Sequence, residues 1–220
     1  MFPVSDVIPS RTTPVVTIGL IAVNAIAFAI ELTLDERELR EFVLAFGVVP
    51  AAFSWASVVT SMFLHGGWLH VAGNMLYLWI FGDNVEDRLG HGRYLAFYLC
   101  CGAVAAVGQT LANPLSVVPM VGASGAVAGV MGAYFVLYPH SRVLTAVVII
   151  FFIDLIEIPA IYFLAIWFVM QLLSGVGSLG AGAAEAGVAF WAHVAGFAAG
   201  AALGAVWRLG EGSRRRRWEY

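Results

Sequence analysis

Six long apolar runs take up most of this chain and limit what it can fold into. They cover residues 14–32, 66–82, 92–111, 123–138, 159–175 and 189–207. A helix needs about 20 mostly apolar residues to cross a bilayer. Charged residues make up 11% of the 220 residues, whereas soluble domains carry about 25%. We therefore predict an all-α, polytopic membrane protein with six transmembrane helices.

The placement of the arginines predicts the orientation. The chain has no lysine, and nine of its eleven arginines fall in segments that a cytoplasmic N-terminus and six spans would place inside. Positive charge is typically concentrated on the cytoplasmic side. We therefore predict an integral protein of a bacterial inner membrane with both termini in the cytoplasm. It has a short N-terminal segment over 1–13, a membrane domain over 14–208 and a basic tail over 209–220.

The run 143–157 does not fit the six-span pattern. Joined to the fifth span, it is far longer than the 20 or so residues that a crossing needs. It also ends in Asp154, Glu157 and Pro159. We therefore predict that it is an interfacial or re-entrant connection before the fifth span.

A few polar residues lie inside the predicted spans, where their cost in lipid makes them functional candidates. They are His70 and Asn74 in the second span, Ser124 at the start of the fourth and His193 in the sixth. At 1.5 Å per residue, Ser124 and His193 each lie about 22 Å from the cytoplasmic end of their span, and His70 about 20 Å. Asn74 shares the helix face of His70, one turn deeper. The three helices therefore present polar groups at one level.

Glycines predict that the helices bearing Ser124 and His193 touch. Gly125 directly follows the serine. Gly196 and Gly200, which are four residues apart, follow the histidine. Small residues at this spacing let transmembrane backbones approach closely. A histidine within hydrogen-bond reach is the usual base that activates a serine hydroxyl. We therefore predict that Ser124 and His193 hydrolyse an amide inside the membrane. Because the outer half of spans two to six holds no carboxylate, we predict a dyad and not a triad.

Donors for the developing oxyanion are also available at this level. Ser124 begins a helix, so its backbone N–H is free of helical partners. The side chains of His70 and Asn74 can add donors, and such groups stabilise the transition state of acyl transfer. Gly122 and Gly125 let the backbone bend beside the serine and admit substrate closely.

The motifs taken together resemble one family. The chain carries H-x-x-x-N at 70–74, G-x-S-G at 122–125 and A-H-x-x-G-x-x-x-G at 192–200, in that order. Over about residues 14–208 it resembles the rhomboid family of intramembrane serine proteases. The resemblance implies a six-helix core, a Ser–His dyad without a cofactor, and cleavage of single-pass substrates near the outer end of their transmembrane helix. It also implies that His65 supports the outer loop and that Glu86 is structural.

The sequence departs from the family pattern in two places. Many members carry Trp-Arg in the first outer loop, whereas Trp55 is followed here by Ala56. Some members place an aromatic residue one turn after the serine to stack on the histidine, and this position is Ala128. By analogy, substrate helices enter at the fifth span, where Trp167 and Phe168 are the candidate gate.

Two other functions stay open at this point. A non-catalytic membrane-protein binder or chaperone could keep the same fold. A metal or proton transporter could use His65, His70 and His193. However, His65 and His70 are five residues apart, which separates them by about 140° around a helix and is poor for shared coordination of a metal. We expect transmembrane protein substrates and the bilayer as partners, and no metal or nucleic acid.

Overall fold

The computed structural model describes residues 2–149, 152–178 and 188–217, and the chain is mostly helical (71%). Two single 3-10 turns lie at Pro50–Ala52 and Ser61–Phe63. The α-helices of the described residues are α1 Val15–Glu31, α2 Glu36–Phe46, α3 Trp55–Thr60, α4 Trp68–Leu89, α5 His91–Ala112, α6 Ser124–Leu137, α7 Ala160–Ser178 and α8 Phe190–Arg217. Helix α8 therefore continues into residues 209–217, the first part of the predicted tail.

Length and composition identify three described helices that could cross a membrane. They are α5, α7 and the part of α8 over Phe190–Glu211. Helices α1 and α6 are apolar but shorter, and α4 ends in several charged residues. The helices coincide with the six apolar runs of the sequence, but the count of six spans is not confirmed and stays a prediction.

Helix α6 forms the centre of the bundle. Eleven of its 14 residues are buried, and it packs against α8, α5 and α4. An apolar helix without a polar face is expected to be surrounded by protein in this way. The helix is about 21 Å long, shorter than the roughly 30 Å hydrocarbon core of a bilayer. Its first residue is Ser124.

Helices α6 and α8 are in backbone contact, as the glycine spacing predicts. A Cβ atom added to Gly196 would collide with the carbonyl oxygen of Gly125, and one added to Gly200 would collide with that of Gly129. The two ridges of glycine therefore face each other along the helices. This contact brings the first turns of α6 and α8 side by side.

The segment predicted as an interfacial or re-entrant connection is a β-hairpin. Strand β2, Arg142–Ile149, pairs antiparallel with β3, Phe152–Pro159, and β1, Phe2–Asp6, joins the other edge of β2. The all-α prediction is therefore wrong at this three-stranded sheet. Its run of Val, Ile and Phe suits strands, but a short apolar run does not by itself distinguish strand from helix.

The sheet is attached to the ends of α4 and α6. Asp6 of β1 accepts hydrogen bonds from the Tyr134 hydroxyl of α6 at 2.6 Å and from the Asn84 amide of α4 at 2.9 Å. Nearby, the buried carboxylate of Glu86 accepts from the backbone N–H groups of Val16 and Thr17 at the start of α1. These bonds fix the end of the bundle that is opposite Ser124.

A side chain placed between the touching backbones of α6 and α8 should destabilise the fold. We expect Gly200→Ala to lower the free energy of unfolding by at least about 2 kcal/mol, because the added methyl meets backbone that cannot rotate away. Gly19→Ala is the matched control, since a Cβ there meets no atom within 4 Å and alanine favours a helix. Reversible unfolding in detergent measures both variants. Equal stability of the two would contradict the close contact.

Candidate active site

Ser124 and His193 lie within hydrogen-bond distance at the start of two adjacent helices. The serine is the first residue of α6, and the histidine lies in the first turn of α8. The serine Oγ is 2.8 Å from the histidine Nε2. Their depths along the predicted spans place the same two residues at one level. The backbone contact between α6 and α8 explains how so short a side chain reaches the ring.

The other ring nitrogen of His193 has a partner that the sequence analysis missed. Its Nδ1 lies 2.8 Å from Oε1 of Gln171, a residue of α7. A carboxylate is the usual partner of such a histidine, and this site has an amide in its place. The available signal was the one amide side chain within the apolar run of the fifth span.

Helix α7 also supplies the aromatic side chain beside His193. The ring of Trp167 lies 5.9 Å from the imidazole, centroid to centroid, at 39°. Ala128, the position where some rhomboids carry an aromatic residue, is buried within α6. Trp167 and Gln171 are four residues apart and so share a face of α7. One helix therefore contacts the histidine twice.

His70, Asn74 and Gly122 surround the loop that leads into Ser124. A Cβ on Gly122 would lie 2.6 Å from the His70 Nε2 and 3.7 Å from the Asn74 Nδ2, and the glycine has φ of +124°. This conformation suits glycine, and the missing side chain leaves room for the imidazole. The N–H of Gly122 donates to the Ser61 carbonyl at 2.8 Å, so it is not a free donor for substrate.

His65 is held by groups from two helices. Its backbone N–H donates to the carboxylate of Glu31, at the end of α1, at 3.1 and 3.2 Å. Its Nε2 lies 3.0 Å from Nδ2 of Asn74, and its ring lies edge-on to that of His70 at 5.1 Å. Glu31 thus ties α1 to the segment before α4. This role of Glu31 was not predicted from the sequence, where its one signal is an acidic residue at the end of an apolar run.

A cavity of about 670 Å³ adjoins these groups. Ser124, His193, His70, Asn74, Trp167 and Gln171 all line it. The other gate candidate, Phe168, stacks instead on Phe197 of α8, with ring centroids 4.8 Å apart. The cavity therefore combines a paired serine and histidine with side-chain donors and room for a substrate segment.

The family model of the Rhomboid domain matches residues 52–209. The chain belongs to the rhomboid family. The match covers α3 to most of α8 and so includes Ser124, Gln171 and His193. Family membership and the apolar helices make this rhomboid an integral membrane protein.

Curated relatives match parts of this rhomboid. It is 37% identical over 97 residues to "Rhomboid protease GluP" of Bacillus subtilis, covering 42% of this chain and 18% of that protein. It is 33% identical over 95 residues to "Putative rhomboid protease YdcA" of the same organism, covering 43% and 47%. It is 34% identical over 92 residues to "Rhomboid protein 1, mitochondrial" of Saccharomyces cerevisiae, covering 40% and 27%. Each match thus spans less than half of the relative's length.

The Glu31 contact can be tested in this rhomboid by replacing the carboxylate with an amide. We expect Glu31→Gln to lower the free energy of unfolding by about 1–2 kcal/mol, because the N–H of His65 loses a charged acceptor. The control is Glu41→Gln, whose side chain is exposed in an i,i+4 pair with Arg37 and should change stability little. Unfolding in detergent compares the two, and equal losses would show that the contact contributes nothing.

Proposed function

We propose that this rhomboid is an intramembrane serine endopeptidase that cleaves transmembrane-helix substrates near the outer membrane face. Ser124 is the nucleophile and His193 the general base. The observation that carries the proposal is the 2.8 Å contact between Ser124 Oγ and His193 Nε2 beside a cavity large enough for a peptide segment. The location that we propose is a bacterial inner membrane, with both termini in the cytoplasm.

The reaction follows from these positions. His193 Nε2 takes the hydroxyl proton as Ser124 Oγ attacks the scissile carbonyl. The imidazolium then gives that proton to the leaving amine, and an acyl-enzyme remains. Water then enters the cavity, and His193 removes its proton as the water oxygen attacks the acyl carbon. The ester bond to Ser124 Oγ breaks, Oγ takes the proton back from the imidazolium, and the second product leaves as a carboxylic acid that ionises. The cycle returns the serine hydroxyl and the neutral histidine.

Stabilisation of the oxyanion would come from three kinds of donor. The backbone N–H groups at the start of α6 have no partners within the helix, and the helix dipole favours negative charge there. The side chains of His70 and Asn74 line the same cavity as Ser124. Removing one such donor from an acyl-transfer enzyme costs about 100- to 1,000-fold in rate.

The proposed dyad is tested by labelling and by proteolysis. We expect a fluorophosphonate to label Ser124 in the folded wild type, and expect Ser124→Ala and His193→Ala to abolish labelling. Cleavage of a single-span reporter with a destabilised helix should fall at least about 1,000-fold in both variants. Ser116→Ala is a matched control, because this serine lines the same cavity. A folded wild type that is neither labelled nor active would favour a non-catalytic binder.

We also propose that substrate helices enter beside α7, where Trp167 is the gate and Phe168, the second candidate, attaches α7 to α8. Both α4 and α7 line the cavity, so an opening between them would admit a helix from the bilayer. Trp167 lies on the cavity side, whereas Phe168 packs against α8.

Substitutions of Trp167 and Phe168 should therefore differ in their effects. We expect Trp167→Ala to raise cleavage of the transmembrane reporter several-fold relative to labelling by the small fluorophosphonate, because a large ring no longer obstructs entry. Phe168→Ala should lower stability without that preference, since it removes a stacked pair. The ratio of cleavage to labelling measures the effect, and unchanged ratios in both folded variants would rule out the gate.

A further inference from the structure

We propose that Gln171 is a positioning residue, which holds His193 in the tautomer that can accept the proton of Ser124. The inference rests on the proposed protease function and adds a third member to its proposed dyad. It also places that member on α7, the helix beside the proposed entry of substrate.

The imidazole of His193 is held at both nitrogens. Nε2 faces the hydroxyl of Ser124 at 2.8 Å, and Nδ1 faces the amide oxygen of Gln171 at 2.8 Å. An amide oxygen accepts hydrogen bonds and cannot donate them. The proton of the neutral ring therefore lies on Nδ1, and the lone pair of Nε2 points at the hydroxyl. This is the form that a general base must have.

The opposite orientation of the same amide would disable the site. The NH₂ group of Gln171 would then donate to Nδ1, the ring proton would lie on Nε2, and the ring could no longer accept the proton of Ser124. The orientation of the Gln171 amide thus determines whether the imidazole of His193 can act as a base toward Ser124. When Nε2 takes the serine proton, the Nδ1 proton stays in place, bonded to the amide oxygen, so no charge moves onto Gln171.

Among the groups around the imidazole, Gln171 is the one placed to hold the ring proton on Nδ1. Ser124 reaches it from α6, Trp167 and Gln171 reach it from α7, and His70 lines the same cavity from α4. Among residues 2–149, 152–178 and 188–217, no carboxylate makes a hydrogen bond or ion pair with His193. A neutral amide thus takes the place that an aspartate holds in a serine triad, as asparagine does in papain-like proteases.

The position of Gln171 connects entry of substrate to chemistry. Gln171 follows Trp167 by one helical turn on the same face of α7. A displacement of α7 that moves Trp167 away from the cavity therefore also moves Gln171 away from His193. The histidine is held in its competent form when α7 is packed against α8, which ties the reaction to the closed arrangement of the helix.

Two substitutions at one position test this role. Gln171→Leu keeps the bulk but removes the acceptor, and we expect fluorophosphonate labelling and reporter cleavage to slow roughly 10- to 100-fold, less than the roughly 10,000-fold loss for a wrong tautomer in an aspartate triad. Gln171→Glu restores an acceptor that cannot donate. We expect it to recover activity at high pH, with the acid limb of the rate profile shifted to higher pH because a carboxylate stabilises the imidazolium.

The control is Leu173→Ala, an exposed position on the same helix, which should keep the rate and pH profile of the wild type. In the wild type, nitrogen NMR should find the proton of His193 on Nδ1, a measurement that needs no variant to fold. A proton on Nε2, a Gln171→Leu rate equal to that of the wild type, or a Gln171→Glu variant as slow as Gln171→Leu at every pH would overturn the role of Gln171. If the folded wild type is not labelled and does not cleave the reporter, the proposed protease function itself is wrong, and the role of Gln171 falls with it.

Discussion

The contact between the backbones of α6 and α8 is the constraint on which the rest of the site depends. A serine side chain extends its hydroxyl barely beyond the backbone, so it meets an imidazole from another helix only if the helices touch. Gly196 and Gly200 of α8 permit that approach, because a Cβ on either would collide with a backbone carbonyl of α6. Most of the remaining chain packs around this pair, with α5 and α4 on other sides of α6 and α7 against α8.

Helix α7 is held differently from this rigid centre. It follows β3 directly and packs mainly against α8. Many of its apolar side chains are exposed. Yet it carries the tryptophan and the glutamine that contact His193. The fold therefore places the serine and histidine on its best-packed helices, and the two groups from α7 that contact the histidine on a helix with fewer protein neighbours.

The centre of this arrangement could be predicted from the sequence, because its signals are periodic and local. Glycines at a spacing of four predict close helices, and counting residues from the span ends places Ser124 level with His193. The groups that were missed reach their partners through tertiary structure. Glu31 meets a backbone N–H 34 residues away, and Gln171 meets a ring 22 residues away. The β-hairpin was missed for another reason, since its apolar run has no period that separates a strand from a buried helix.

The order of the helices along the chain determines when the site can exist. Ser124 and His193 are 69 residues apart, and the histidine lies on α8, the last helix of the described chain. Synthesis proceeds from the N-terminus, and domains fold as the chain emerges. The serine is therefore made well before the histidine that it contacts. Under the proposed function, an unfinished chain therefore carries the nucleophile without the base that would activate it.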